Sequence, residues 1–126
     1  NTALSTWAGT SNIVTVGNIS VNTTGYVGSA TLTTSTTTAN QPLVLSSVST
    51  YKTFEFLIQS TSSTYVHSTK IMIVYDGTSL YSDEYGTIIS SSSLFTWDFD
   101  VTANNLRLLV TPVNAVTTFK VVFNAI

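Results

Sequence analysis

Leu94-Phe95-Thr96-Trp97-Asp98-Phe99-Asp100-Val101 is the stretch that decides the fold. Phe95, Trp97, Phe99 and Val101 take every second position, with Thr96, Asp98 and Asp100 between them. A period of two sends alternate side chains to opposite faces of a strand, so the apolar set is read as buried and the polar set as wet. The pattern recurs downstream. Leu106, Leu108 and Val110 alternate with Arg107 and Thr111, and Phe119, Val121 and Phe123 alternate with Thr118 and Lys120. Alternating runs joined by short connections predict consecutive strands of one antiparallel sheet packed on one side.

Upstream of that stretch the strand signals continue. They cover Leu43–Val48, Thr53–Gln59 and Lys70–Tyr75, then Leu80–Tyr85 and Thr87–Ile89 with Gly86 as a bend or bulge. The run KIMIVY (Lys70–Tyr75) is apolar at nearly every position, which fits a strand covered on both faces. Asp76-Gly77 then reads as a hairpin turn, because both residues tolerate a positive φ. Ser90–Ser93 reads as a loop and Asn104-Asn105 as a turn. Pro112 should end its strand, since it has no N–H to donate to a ladder. No segment carries the apolar spacing of an amphipathic helix. The fold class is therefore all-β: an antiparallel two-sheet β-sandwich, jelly-roll-like, preceded by an extended Thr/Ser/Gly-rich β-segment.

Composition narrows the function. Of 126 residues, 43% are hydrophobic and only 8% are charged, against roughly 25% in an ordinary soluble domain. Ser and Thr supply about a third of the chain, and Thr suits a pleated strand while its hydroxyl faces water. The net charge is −2, and Lys52, Lys70, Arg107 and Lys120 are the only basic residues. Four cations make a poor phosphate-neutralising face, so nucleic acid and anionic membrane are not expected partners. No apolar run approaches the roughly 20 residues of a membrane span. There is no cysteine, hence no disulfide and no thiolate metal site. The chain starts without Met and without a signal peptide, which is read as a mature or excised piece of a longer chain.

Charge also divides the sequence, since all ten charged residues lie between Lys52 and Lys120. We place a boundary near Asn40–Pro42, with an extended arm over 1–40 and the sandwich over 41–126. Within the arm, Trp7, Ile13, Val16, Ile19 and Val21 recur among punctuating glycines, as in thin strands that find partners on other chains.

Two stretches resemble known virion proteins. The ordered series Asp76-Gly77, Glu84-Tyr85-Gly86, Asp98/Asp100 and Arg107–Pro112 resembles a small β-sandwich module of tailed-bacteriophage virion structural proteins. Trp7–Ser20 (WAGTSNIVTVGNIS) resembles the Gly/Thr repeats of phage fibre shafts, in which three chains wind together. The resemblance implies a non-enzymatic virion protein on the extracellular particle, in a fibre or tail appendage and as a homotrimer with other virion proteins as neighbours. A capsid decoration protein, its arm lying on neighbouring capsomers, is the nearest alternative. A glycan-binding adhesin module is the second. The sequons at Asn18 and Asn22 carry no weight in such a protein.

No residue set spells out catalysis and no cofactor is expected. His67, the sole histidine, sits in the polar run Ser60–Thr69 and reads as a surface-loop residue. Asp98 and Asp100 share a face, where they form either a weak Ca²⁺ site or an ion-pair face with Arg107 or Lys120. Asp83-Glu84 reads as a solvated turn. Tyr65, Tyr81 and Tyr85, with Tyr75 near them, are candidate glycan-contact aromatics, since a phenol offers an apolar ring with a wet hydroxyl.

Overall fold

The computed structural model describes Val14, Thr15 and residues 17–126, and over them the chain is entirely strand and turn. The strands are β1 (Ile19–Val21), β2 (Gly25–Thr33), β3 (Gln41–Ser47), β4 (Thr53–Ser62), β5 (Tyr65–Tyr75), β6 (Leu80–Ile89), β7 (Phe95–Thr102), β8 (Asn105–Pro112) and β9 (Thr118–Ala125). They form a six-stranded sheet, β1-β2-β9-β4-β5-β6, and a three-stranded sheet, β3-β8-β7, with antiparallel pairing throughout. This is the expected two-sheet sandwich, divided six and three.

Alternation builds the core. β9 turns Phe119, Val121, Phe123 and Ala125 inward beside Phe54, Phe56 and Ile58 of β4 and Ile71 and Ile73 of β5. The smaller sheet answers with Leu106, Leu108 and Val110, and Leu94 and Phe95 close one end. Each such side chain contributes on the order of 1.5–3 kcal/mol when fully buried. One polar bond also spans the two sheets: the Tyr26 hydroxyl of β2 meets the Ser46 hydroxyl of β3 in the interior.

Several expectations change here. β7 and β8 do form a hairpin, but β9 is not their neighbour. Pro112 and the loop after it carry the chain across the core, and β9 enters the larger sheet between β2 and β4. Alternation reports which face is buried, not which sheet a strand joins. The two-residue turn is Ala103-Asn104, one residue earlier than expected, both with positive φ. The hairpin after β5 uses the four residues Asp76 to Ser79, its Asp76 carboxylate accepting from the Thr78 and Ser79 amides at 2.8 Å. KIMIVY is covered on one face only: Ile71 and Ile73 are fully buried, whereas Met72 and Val74 are about 40% exposed.

The boundary at residue 40 also moves. β2 lies within the expected arm yet pairs with β9 from Tyr26 to Thr33 and places Tyr26 in the core. Its glycines are there for closeness rather than for turns. A Cβ on Gly25 would stand 2.2 Å from the Ala125 carbonyl oxygen, and one on Gly28 would stand 2.6 Å from the Phe123 ring. The Thr run after β2 is ordered too, its Thr34 hydroxyl donating to the Ala115 carbonyl at 2.7 Å. Of the expected assembly residues, Ile19 and Val21 sit exposed on the edge strand β1. Trp7, Ile13 and Val16 lie outside the described residues.

Candidate functional site

The sandwich has one conspicuous surface, the outer face of the six-stranded sheet. The register sets out its rows. Val27, Asn124, Glu55, Met72 and Asp83 form one, and Ser29, Val122, Leu57, Lys70 and Tyr85 form the next. Val74 and Tyr81 pair beyond them on one side. Leu57, Met72, Val74, Tyr81 and Val122 are all exposed, at 39–59%. Alternation would ordinarily assign these positions polar residues. Exposed apolar side chains gathered on one sheet face make it a candidate interaction site, although Glu55 and Lys70 lie among them.

Charges of both signs lie among and beside these residues. Glu55 and Asp83 supply the negative side, and Lys70 and Lys120 the positive. The Tyr85 hydroxyl donates to Glu55 Oε2 at 2.6 Å, which holds the Glu55 carboxyl below its ordinary range and pushes the Tyr85 hydroxyl up. Lys70 Nζ lies 5.9 Å above the Tyr85 ring. Shallow depressions of about 180–260 Å³ indent the region: at Leu57 with Val122, at Met72 with Tyr81, at Glu55 with Met72 and Asn124, and beside β1 near Tyr26.

The candidate residues from the sequence fall in separate places. Tyr81 and Tyr85 share the outer face of β6, but Tyr65 opens β5, nine residues from Val74, the partner of Tyr81. At ~3.3 Å per residue that is roughly 30 Å, so the tyrosines do not converge on one ligand. Tyr75 is half-buried under Lys52, whose Nζ lies 5.3 Å from the ring centroid. Asp100 pairs with Arg107 through both carboxylate oxygens, the Nε bond being 2.7 Å. The guanidinium holds the Asp100 carboxyl below the usual carboxylate range. Asp98 instead lies mid-strand and accepts from the Phe99 amide next to it at 2.8 Å. With both Asp100 oxygens on the guanidinium, the pair acts as an ion-pair face.

Two other readings are corrected. His67 is not a loop residue: it lies on β5, is 4% exposed, and its Nδ1 accepts from the Leu94 amide at 3.1 Å. Polarity in Ser60–Thr69 hid the β4–β5 hairpin, whose inward positions are Ser60 and Ser62 on β4 and His67 and Thr69 on β5. Asp83 and Glu84 are not a turn either but opposite-facing residues of β6. Glu84 points inward, where the Thr69 hydroxyl donates to its Oε2 at 2.9 Å.

No family model matches the sequence, and no curated relative matches it. Two tailspike chains share the fold. The Acinetobacter phage vB_ApiP_P1 tailspike protein aligns over 76% of this chain at a TM-score of 0.51 and 16% identity. Tailspike gp49 of Acinetobacter baumannii bacteriophage Fri1, a capsular polysaccharide depolymerase, aligns over 90% at a TM-score of 0.54 and 12% identity. The chain spans about a fifth of the length of each, 21% and 20%. The similarity is one of architecture, between this sandwich and one segment of a much longer protein.

Proposed function

We propose that this chain is a non-enzymatic structural module of a bacteriophage tail appendage, carried on the virion and built into it by association with further copies of itself. The observation behind the reading is the exposed apolar group of Leu57, Met72, Val74, Tyr81 and Val122. Apolar side chains with polar and charged neighbours are the anatomy of a protein interface. Charges of both signs on one face favour a like partner, because Lys70 or Lys120 of one copy can meet Glu55 or Asp83 of the next. The fold shared with tailspike segments supports the phage setting, and a homotrimer is the assembly that fits the fibre-like N-terminal repeats.

Light scattering of the chain over a dilution series tests this. A trimer reads about 40 kDa, three times the 13.5 kDa of one chain, and persists on dilution. Leu57→Lys with Val122→Lys should convert it to a monomer with an unchanged circular dichroism spectrum, since both side chains point away from the core. A wild-type chain that is monomeric at every concentration overturns self-assembly. The face would then belong to a different virion protein, as in capsid decoration.

A further inference from the structure

Between β6 and β7 the two sheets part, and the opening is a cleft of about 340 Å³ lined by residues of both. A bulge in β6 shapes it. Ser68 pairs with Ile88 but Lys70 pairs with Tyr85, so Gly86 and Thr87 together stand opposite Thr69. Gly86 takes a positive φ of 68°, which lets the strand absorb the extra residue. The bulge shifts the alternation by one, and Thr87 therefore joins Glu84 on the inward face. Without it, Gly86 alone would stand opposite Thr69 and Thr87 would face outward.

The polar groups in the cleft have defined directions. The Thr69 hydroxyl spends its hydrogen on Glu84, so the Thr87 hydroxyl must donate to Thr69, at 2.8 Å. Thr87 and Glu84 are left with accepting lone pairs. His67 gives its Nδ1 lone pair to the Leu94 amide, which places the hydrogen of the neutral ring on Nε2. That Nε2 has no partner among the described residues. Opposite them stands Trp97, half-buried against the core, with Phe99 stacked on it at 5.6 Å and 22°. No lysine or arginine lines the cleft.

We infer that this cleft binds a neutral sugar ring, stacked on Trp97 with its hydroxyls shared among Glu84, Thr87 and His67 Nε2. Each part matches that chemistry. An indole face takes the C–H face of a pyranose, vicinal hydroxyls need acceptors and a donor side by side, and a carboxylate with no cation beside it turns away acidic sugars. The volume sits at the lower end of small-ligand pockets, which suits one or two rings.

The test is an amide-resolved NMR titration of the intact chain with the methyl glycosides of glucose, galactose, mannose and N-acetylglucosamine, and with methyl glucuronide as the acidic control. Concentrations reaching about 50 mM cover the millimolar Kd expected of a single ring on one aromatic face. Saturable shifts should appear on residues 84–89 and 95–97 with at least one neutral glycoside, and about tenfold more weakly with the glucuronide. Trp97→Ala should weaken binding at least ~10-fold, and Thr87→Val, which leaves the Trp97–Phe99 packing intact, at least ~3-fold. The Leu57→Lys/Val122→Lys variant should bind as the wild type does, which separates this proposal from the assembly reading. Absence of saturation with all four neutral glycosides, shifts centred on Tyr81 and Tyr85, or unchanged binding in Thr87→Val overturns it.

Discussion

His67 stands 4.5 Å from the Phe95 ring and is enclosed by β5, Leu94 and the β6 bulge. Burial pushes its imidazole below the ordinary 6.5, and the nearby Glu84 opposes this only in part. The folded chain therefore takes up a proton less readily than the unfolded one. Stability contributed by the neutral ring is present above about pH 6.5 and is lost as pH falls through the window below it. Urea midpoints measured from pH 7 down to pH 5 should decline, and His67→Asn, whose Oδ1 can still accept from the Leu94 amide, should flatten that decline. An equal slope in both proteins would remove His67 as the cause. Asp100 and Arg107 lie at the other extreme, an exposed bidentate pair about a third open to solvent. Arg107→Ala should shift the chemical-denaturation midpoint only slightly, and less still in high salt.

At the scale of elements, β2 is held by closeness and by one crossing hydrogen bond. Gly28→Ala would drive a Cβ into the Phe123 and Tyr26 rings, so it should destabilise by about 1–3 kcal/mol, read from the denaturation midpoint at unchanged slope. Tyr26→Phe leaves the buried Ser46 hydroxyl without its partner and should cost about 1–3 kcal/mol. Restoring an apolar match with Tyr26→Phe and Ser46→Ala together should recover part of that loss. Both experiments also test whether β2 belongs to the sandwich, because an independent arm would tolerate either change. The N-terminal glycines read from sequence as spacers between thin strands. Their role came from Ala125 and Phe123, about a hundred residues away, and no local pattern carries that information.

At the scale of the molecule, nearly all of the strands and most of their inward faces were legible. Phe54, Phe56 and Ile58, then Phe119, Val121 and Phe123, alternate so regularly that the polar period leaves no other face for the core. The bend at Gly86 was legible as well, since glycine inside a strand marks a bulge. Its consequence was not. Whether a bulge turns Thr87 or Ile88 inward depends on which residue of β5 it faces, and Trp97 reads as core alone until its half-buried ring is seen also to line the cleft beside β6.

The sequence by itself determined an all-β chain, its strand content and the side of each strand that seeks burial, because these follow from the two-residue period and from turn chemistry acting over a few neighbours. Only the tertiary structure decided that β9 lies between β2 and β4, that residues 25–33 belong to the sandwich, and that His67, Glu84, Thr87 and Trp97 share a cleft. Those outcomes rest on pairing between residues far apart in the chain. Backbone hydrogen bonding is indifferent to sequence, and the choice among partners is made by how side chains of two whole sheets fit together.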